Sequence, residues 1–170
     1  EAPVVLSSSA PAGKAGDWGG IRIEGGSLSL TYAHLSYSGY GISADFLEPD
    51  PDSEGLVLAN SRLTDSVGGI YIGTKRWATL TLTNNVIEVA TGSWAVNIST
   101  GYSSVSRESP VTVFSGNTVI NLNGPGVEFS FLESGVTATS NTIQERSGFS
   151  GGAGLKFNYV GSIEATGNDL

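Results

Sequence analysis

Three stretches of the chain gather side chains with chemistry to offer. Residues 45–55 (DFLEPDPDSEG) bring Asp45, Glu48, Asp50, Asp52 and Glu54; residues 73–79 bring Lys75, Arg76 and Trp77; residues 99–110 bring Tyr102, Arg107 and Glu108. Trp and Tyr faces are surfaces on which sugar rings stack, and nearby cations or carboxylates hydrogen-bond hydroxyls or pair with charged polymers. Trp77, Tyr102, Lys75, Arg76 and Arg107 therefore make a candidate ligand groove, with a polysaccharide or a surface glycan as its partner. The competing reading is structural: Lys75 and Arg76 offset the acidic stretch beside them. Asp50, Asp52 and Glu54 offer several oxygen ligands on one segment, the donor type that calcium takes. Against calcium, an EF-hand spacing is absent and Pro49 and Pro51 favour an exposed, extended loop. The single histidine, His34, stands between Ala33 and Leu35 at an outward place, which suits a solvated ring better than a general base.

These residues need a scaffold, and the scaffold is written as a repeat. Residues 136–143 read VTATSNTI, with apolar residues at the first, third and last places and an asparagine two before the end. Close copies are residues 80–87 (LTLTNNVI) and 163–170 (IEATGNDL); looser ones are 28–35 and 56–63, and another surrounds Asn117. The asparagine column reads Ala33, Ser61, Asn85, Asn117, Asn141 and Asn168, at steps of 28, 24, 32, 24 and 27 residues. Such a period marks a stacked-coil architecture. In phase with it runs a small residue followed by apolar, any, apolar, beginning at Gly20, Gly41, Gly69, Ala95, Gly126 and Gly154. Each coil is expected to hold two short strands, since side chains alternate across a strand. Ile21, Ile42, Ile70, Val96, Val127 and Leu155 should form one inward column, and Leu35, Leu63, Ile87, Val119, Ile143 and Leu170 another. Asparagine tolerates left-handed backbone angles at a bend. Stacked amides bond one another in a ladder, which assigns Asn85, Asn117, Asn141 and Asn168 a structural role.

Composition narrows the classes further. The chain has 170 residues, 24 of them glycine and only 14% charged, which suits many short strands and tight turns rather than a helical bundle. A net charge of −8 argues against a nucleic-acid partner, because a phosphate-binding surface must be basic. No apolar run is long enough to cross a bilayer as a helix, so no membrane insertion is expected. Without cysteine there are no disulfides or thiolate metal sites. The absence of methionine suits a mature piece of a longer precursor.

The segments GDWGGI, then LTYAHLSYSGYGI, then coils ending NNVI, GNTV, SNTI and GNDL resemble the right-handed parallel β-helix repeats of the pectin-lyase-like superfold, closest to those of bacterial secreted and surface proteins. The resemblance covers residues 17–170. It implies one all-β domain over residues 1–170, a right-handed parallel β-helix of about six coils roughly 30 Å long at ~4.8 Å per coil. Residues 1–16 would be an incomplete first coil and loop, with Trp18 plugging the core's open end. It also implies an extracellular or cell-surface place. Catalytic relatives in this superfold carry a vWiDH-type segment with an Asp-rich calcium strand, or NTD and DD pairs. None stands in this sequence.

The expected role is therefore a noncatalytic structural, adhesive or glycan-binding module without a catalytic residue or cofactor, calcium excepted. The alternative is a polysaccharide lyase or glycoside hydrolase, drawing on the carboxylates of residues 45–54 and on Lys75, Arg76 or Arg107. The outward row Arg22, Ser43, Tyr71, Asn97, Glu128 and Lys156 sets Glu128 beside Lys156 as a surface ion pair of small worth. Ser27, Ser29, Thr31, Thr79, Thr81, Thr83, Thr137 and Thr139 make an outward hydroxyl face, which an ice-binding reading would use and which strand propensity also explains. An uncapped last coil points to further coils in the native chain or to end-to-end self-association.

Overall fold

The structure is a computed structural model that describes residues 2–44, 55–73, 79–90, 93–99, 111–145 and 154–170. Among the described residues every regular element is a β-strand. The first turn holds β1 (Val4–Leu6), β2 (Ile21–Ile23) and β3 (Ser27–Thr31); the second β4 (Ala33–Ser36), β5 (Ile42–Ala44) and β6 (Gly55–Ala59). There follow β7 (Arg62–Ser66), β8 (Ile70–Gly73) and β9 (Thr79–Thr83), then β10 (Val86–Val89), β11 (Val96–Ser99) and β12 (Thr112–Ser115). The last two sets are β13 (Thr118–Asn121), β14 (Val127–Ser130) and β15 (Val136–Thr139), then β16 (Thr142–Glu145), β17 (Leu155–Asn158) and β18 (Ile163–Thr166). Every third strand pairs in parallel, giving sheet I (β1-β4-β7-β10-β13-β16), sheet II (β2-β5-β8-β11-β14-β17) and sheet III (β3-β6-β9-β12-β15-β18). The path winds right-handed.

Two expectations need correction. Each coil has three strands, not two, because the asparagine segment is not one strand: Val136–Thr139 lies in sheet III and Thr142–Glu145 in sheet I, with the corner at Ser140 and Asn141. The count of coils is also smaller. With six strands per sheet and one edge strand at each end, about four turns are covered on both sides rather than six.

The corner itself works differently from the expectation. The left-handed residue is the one before the asparagine column: Tyr32, Asn60, Asn84, Gly116, Ser140 and Gly167 take φ of 54°, 50°, 54°, 65°, 55° and 65°. That angle turns the chain within a single residue. The column residue that follows is then buried and free to bond along the axis.

Inward residues stack like on like. Ile21, Ile42, Ile70, Val96, Val127 and Leu155 are in register along sheet II. Leu35, Leu63, Ile87, Val119 and Ile143 are in register along sheet I. Leu170 does not join that column as a buried member, being 68% exposed at the last coil, where no further strand covers it. Sheet III contributes Leu56, Leu58, Leu80, Leu82, Phe114, Val136 and Ala138 to one continuous core. Phe114 meets Phe129 edge-on with ring centroids 5.6 Å apart, and Phe129 stacks on Phe157. Trp18 is half-buried outside this core; its ring N–H donates to the Ser36 carbonyl at 2.8 Å.

Beside the core runs a column of amides. Asn85 Nδ2 donates to Asn117 Oδ1 (3.0 Å), Asn117 Nδ2 to Asn141 Oδ1 (3.1 Å) and Asn141 Nδ2 to Asn168 Oδ1 (2.8 Å). Each Oδ1 also accepts the backbone N–H of the column residue one turn earlier. The second Nδ2 hydrogen of each goes to a carbonyl of sheet III: Leu58, Leu82, Phe114 and Ala138. Ser61 continues the column by donating its N–H to Asn85 Oδ1, and its hydroxyl accepts the Ala33 N–H.

The small-residue motif has an equally direct cause. The carbonyl of one small residue accepts the amide that follows the small residue one turn before, as Ala95 O does from Ile70 N at 2.9 Å. That carbonyl sits where a Cβ on Gly69 would be, 1.8 Å away, so a side chain there would force the turns apart. Near the chain start, Asp17 ties down its loop by accepting the Lys14 N–H and the Ser8 hydroxyl. These bonds hold its carboxyl below the usual carboxylate range.

Replacing Asn117 by Ala leaves the buried Asn85 N–H without its side-chain acceptor and removes the amide donor from Leu82 O and Asn141 Oδ1, with each lost buried bond costing ~1–3 kcal/mol. Asn117→Ala should therefore lose about 3 kcal/mol in urea denaturation, and Asn168→Ala, half-buried in the last turn, clearly less. The Thr112 hydroxyl is buried and has no hydrogen-bond partner among the described residues. Thr112→Val should accordingly raise stability by about 1 kcal/mol. A lowered midpoint would show that hydroxyl to be satisfied.

Candidate binding face on the second sheet

The residues singled out for a groove, Trp77, Tyr102, Lys75, Arg76 and Arg107, lie outside the described residues, as do Asp50, Asp52 and Glu54. The strands that flank them are described. Ala44, Gly73 and Ser99 end β5, β8 and β11, neighbours in sheet II; Gly55, Thr79 and Thr112 begin β6, β9 and β12, neighbours in sheet III. The three segments thus leave and enter the fold at successive turns of the same two walls.

Sheet II presents its own outward row. Arg22, Ser43, Tyr71, Asn97, Glu128 and Lys156 are in register on consecutive strands. They face away from the core because Ile21, Ile23 and their equivalents face into it. Three of them form an ordered network. Lys156 Nζ is 3.0 Å from Glu128 Oε1, and Asn97 Nδ2 donates to Glu128 Oε2 at 3.2 Å. The Glu128 side chain is only 12% exposed, so this pair is more enclosed than the free surface pair expected from the sequence. Trp94, half-buried two residues ahead of Val96, lies under the Lys156 ammonium, which is 5.5 Å from the ring centroid. A cation over an indole face is an attractive arrangement of its own.

The other end of the row is open. Tyr71 is 56% exposed. Its ring lies along Gly73, where a Cβ would come within 3.2 Å of a ring carbon. Arg22 Nε is 3.2 Å from Glu24 Oε1, both side chains 69% exposed. Arg22, Ser43, Ala44, Tyr71 and Gly73 line a hollow of about 230 Å³.

One feature of this wall went unread in the sequence. Phe131 and Tyr159, at the corners after β14 and β17, stack with centroids 5.2 Å apart and planes 9° from parallel. Both hold left-handed backbone, φ 60° and 55°, which is uncommon for bulky residues. The signal was an aromatic four residues after Val127 and again four after Leu155, in VEFSF and LKFNY.

The remaining candidates lie on other walls. His34 is half-buried on sheet I with Nε2 3.1 Å from the Thr64 hydroxyl. Sheet III carries the hydroxyl face in two rows: Ser29, Val57, Thr81, Val113, Thr137 and Glu164, then Thr31, Ala59, Thr83, Ser115, Thr139 and Thr166. Ser115 and Thr139 hydroxyls are 2.9 Å apart, so part of that face is internally bonded. Among the described residues no group of three or more His, Cys, Asp or Glu is placed to hold a metal ion. Among the described residues no helix is long and apolar enough to cross a membrane.

Residues 19–170 match the family described as right handed beta helix region, nearly the whole chain and all three walls. The chain belongs to the right-handed β-helix family. No curated protein and no solved structure matches it. Membership accounts for the scaffold on which the row stands; a β-helix of this kind hosts many activities, so the family alone names no ligand.

Glu128→Gln tests whether the network is an ordered unit of this β-helix. Losing the ion pair while keeping the Asn97 contact should cost about 1 kcal/mol, because Lys156 remains half-exposed to water. It should also change the environment of the Trp94 ring, read as a shift in tryptophan emission. Unchanged emission would mean that Lys156 does not rest on that ring.

Proposed function

We propose that this β-helix is a noncatalytic binding module that contacts glycan chains through the outer face of sheet II. The observation that carries the reading is one wall bearing exposed Tyr71 and half-buried Trp94 beside an ordered polar row, Asn97, Glu128 and Lys156. Aromatic faces take the apolar faces of sugar rings, and fixed amide and charged groups take their hydroxyls. The row runs along the rod, about 14 Å from Tyr71 to Lys156 over three strand spacings. A linear chain laid along the axis would meet these side chains in succession. The two segments that hold Trp77 and Tyr102 follow β8 and β11 of the same wall, so their aromatic and charged residues belong to the same proposal.

Support for a noncatalytic role comes from the state of Glu128. Glycosidic hydrolysis uses two carboxyl groups set across the bond, one free to donate a proton. Glu128 is instead held by Lys156 and Asn97. An extracellular or cell-surface place is part of the proposal, supported by the likeness of the coils to those of bacterial secreted and surface proteins. The alternative, a polysaccharide lyase or hydrolase, would need its acid and base from residues 45–54, 75, 76 and 107.

A polysaccharide array with the wild-type chain, Tyr71→Ala and Trp77→Ala tests this directly. The wild type should bind a subset of glycans, and Tyr71→Ala should weaken binding about tenfold, or ~1.4 kcal/mol. New reducing ends or unsaturated products from any bound polymer would replace the binding module with an enzyme. No array signal from the wild type would end the glycan reading.

A further inference from the structure

We infer that Asn123 and Gly124, in the connection from β13 to β14, form a site of self-modification. There the chain converts Asn123 to aspartate and isoaspartate with loss of ammonia, and so loosens the corner that Asn121 holds. The inference stands independently of the glycan-binding reading.

The reaction needs an asparagine side chain able to fold back on the next amide, a next residue that does not obstruct it, and a next N–H not held elsewhere. Asn123 is exposed and lies outside any strand. An asparagine followed by glycine occurs once in the chain, and glycine puts no Cβ in the path of the attacking nitrogen. Among the described residues the Gly124 N–H has no hydrogen-bond acceptor.

The asparagine column is in the opposite state. The amides that follow Asn85, Asn117 and Asn141 are donors to the neighbouring turn: Val86 N to Ser61 O at 2.9 Å, Thr118 N to Asn85 O and Thr142 N to Asn117 O at 2.8 Å. The side-chain oxygens of these asparagines accept N–H groups of the ladder as well. Attack there must first break a buried hydrogen bond, which slows it about tenfold or more.

In the first step the Gly124 nitrogen bonds to Asn123 Cγ and gives up its proton, and the side-chain nitrogen leaves with a proton as ammonia, closing a succinimide ring. A water then opens the ring. Cleavage of the Cγ–N bond restores the ordinary backbone as aspartate. Cleavage at the main-chain carbonyl carbon instead leaves the backbone running through Cβ and Cγ as isoaspartate, longer by a methylene. One water is consumed, one ammonia is released, and nothing is oxidised or reduced.

The consequence follows from Asn121, which is fully buried and spans this connection. Its Oδ1 accepts the Asn123 N–H at 3.1 Å, and its Nδ2 donates to Pro125 O at 2.8 Å and to Ser93 O at 2.7 Å. Pro125 O also accepts the Ala95 N–H from the turn before. A methylene added to the backbone between residues 121 and 125 lengthens the span that one side chain holds at both ends, so those bonds and the contact with Ala95 are weakened together.

The test is incubation of the whole chain at mildly alkaline pH, folded and in guanidinium chloride, read by peptide mass and by enzymatic methylation of isoaspartate. The folded chain should convert at Asn123 ahead of every other asparagine, at a rate close to that of the unfolded chain. Asn123→Gln should remove the conversion. Aged wild type should denature at a lower midpoint than fresh wild type and than Asn123→Asp, which carries the carboxylate on an ordinary backbone. Conversion at Asn123 slowed more than about tenfold by folding, or conversion led by a column asparagine, would overturn the site. An aged midpoint equal to that of Asn123→Asp, or an equal loss in aged Asn123→Gln, would overturn the loosening of the corner.

Discussion

Everything in this molecule depends on vertical register between turns. Parallel strands along each wall bring the same kind of residue over itself, and a slip of one residue would exchange the inward and outward sets of a whole strand. The amide column is what resists such a slip. Asn117 alone donates to Leu82 O and Asn141 Oδ1 and accepts two N–H groups of Asn85. Because these groups are buried, each would lose its partner outright if the turns moved, with no water to replace it. The small residues at the entry to sheet II act in the same direction, since Gly69 lets the Ala95 carbonyl approach where a side chain would hold it off.

That constraint divides the chain into residues that must repeat and residues that are free. Inward positions and the asparagine column repeat because each is packed by its own equivalents above and below. Outward positions are bound only by strand spacing, so a row such as Arg22, Ser43, Tyr71, Asn97, Glu128 and Lys156 varies residue by residue on a fixed pitch. The scaffold supplies rigidity and the row supplies chemistry. The stretches from sheet II to sheet III vary in length, from residues 24–26 in the first turn to residues 100–111 in the fourth, whereas the step from sheet III to sheet I is never more than two residues.

Within the row, the two ends differ for a physical reason. Toward β17, opposite charges and an indole occur on adjacent strands and settle one another, leaving an ordered but self-satisfied patch. Toward β2, a serine between two large side chains leaves space, and among the described residues Arg22 is met by exposed Glu24.

The sequence by itself determined the architecture, because a repeat of 24 to 32 residues with two motifs in phase allows few solutions other than stacked coils. It also determined the inward columns and the outward row of sheet II, since both follow from the two-residue period of a strand. It did not reveal that each asparagine segment bends into two strands. The residue that turns the corner, Ser140 or Tyr32 as readily as Gly116, has no consistent type, and its left-handed backbone is imposed by the turns around it. Nor did it reveal the hollow at Arg22, the enclosure of Glu128 or the Phe131–Tyr159 stack. Those depend on which side chains from turns some 28 residues apart meet across a 4.8 Å spacing, and only the tertiary structure decides that.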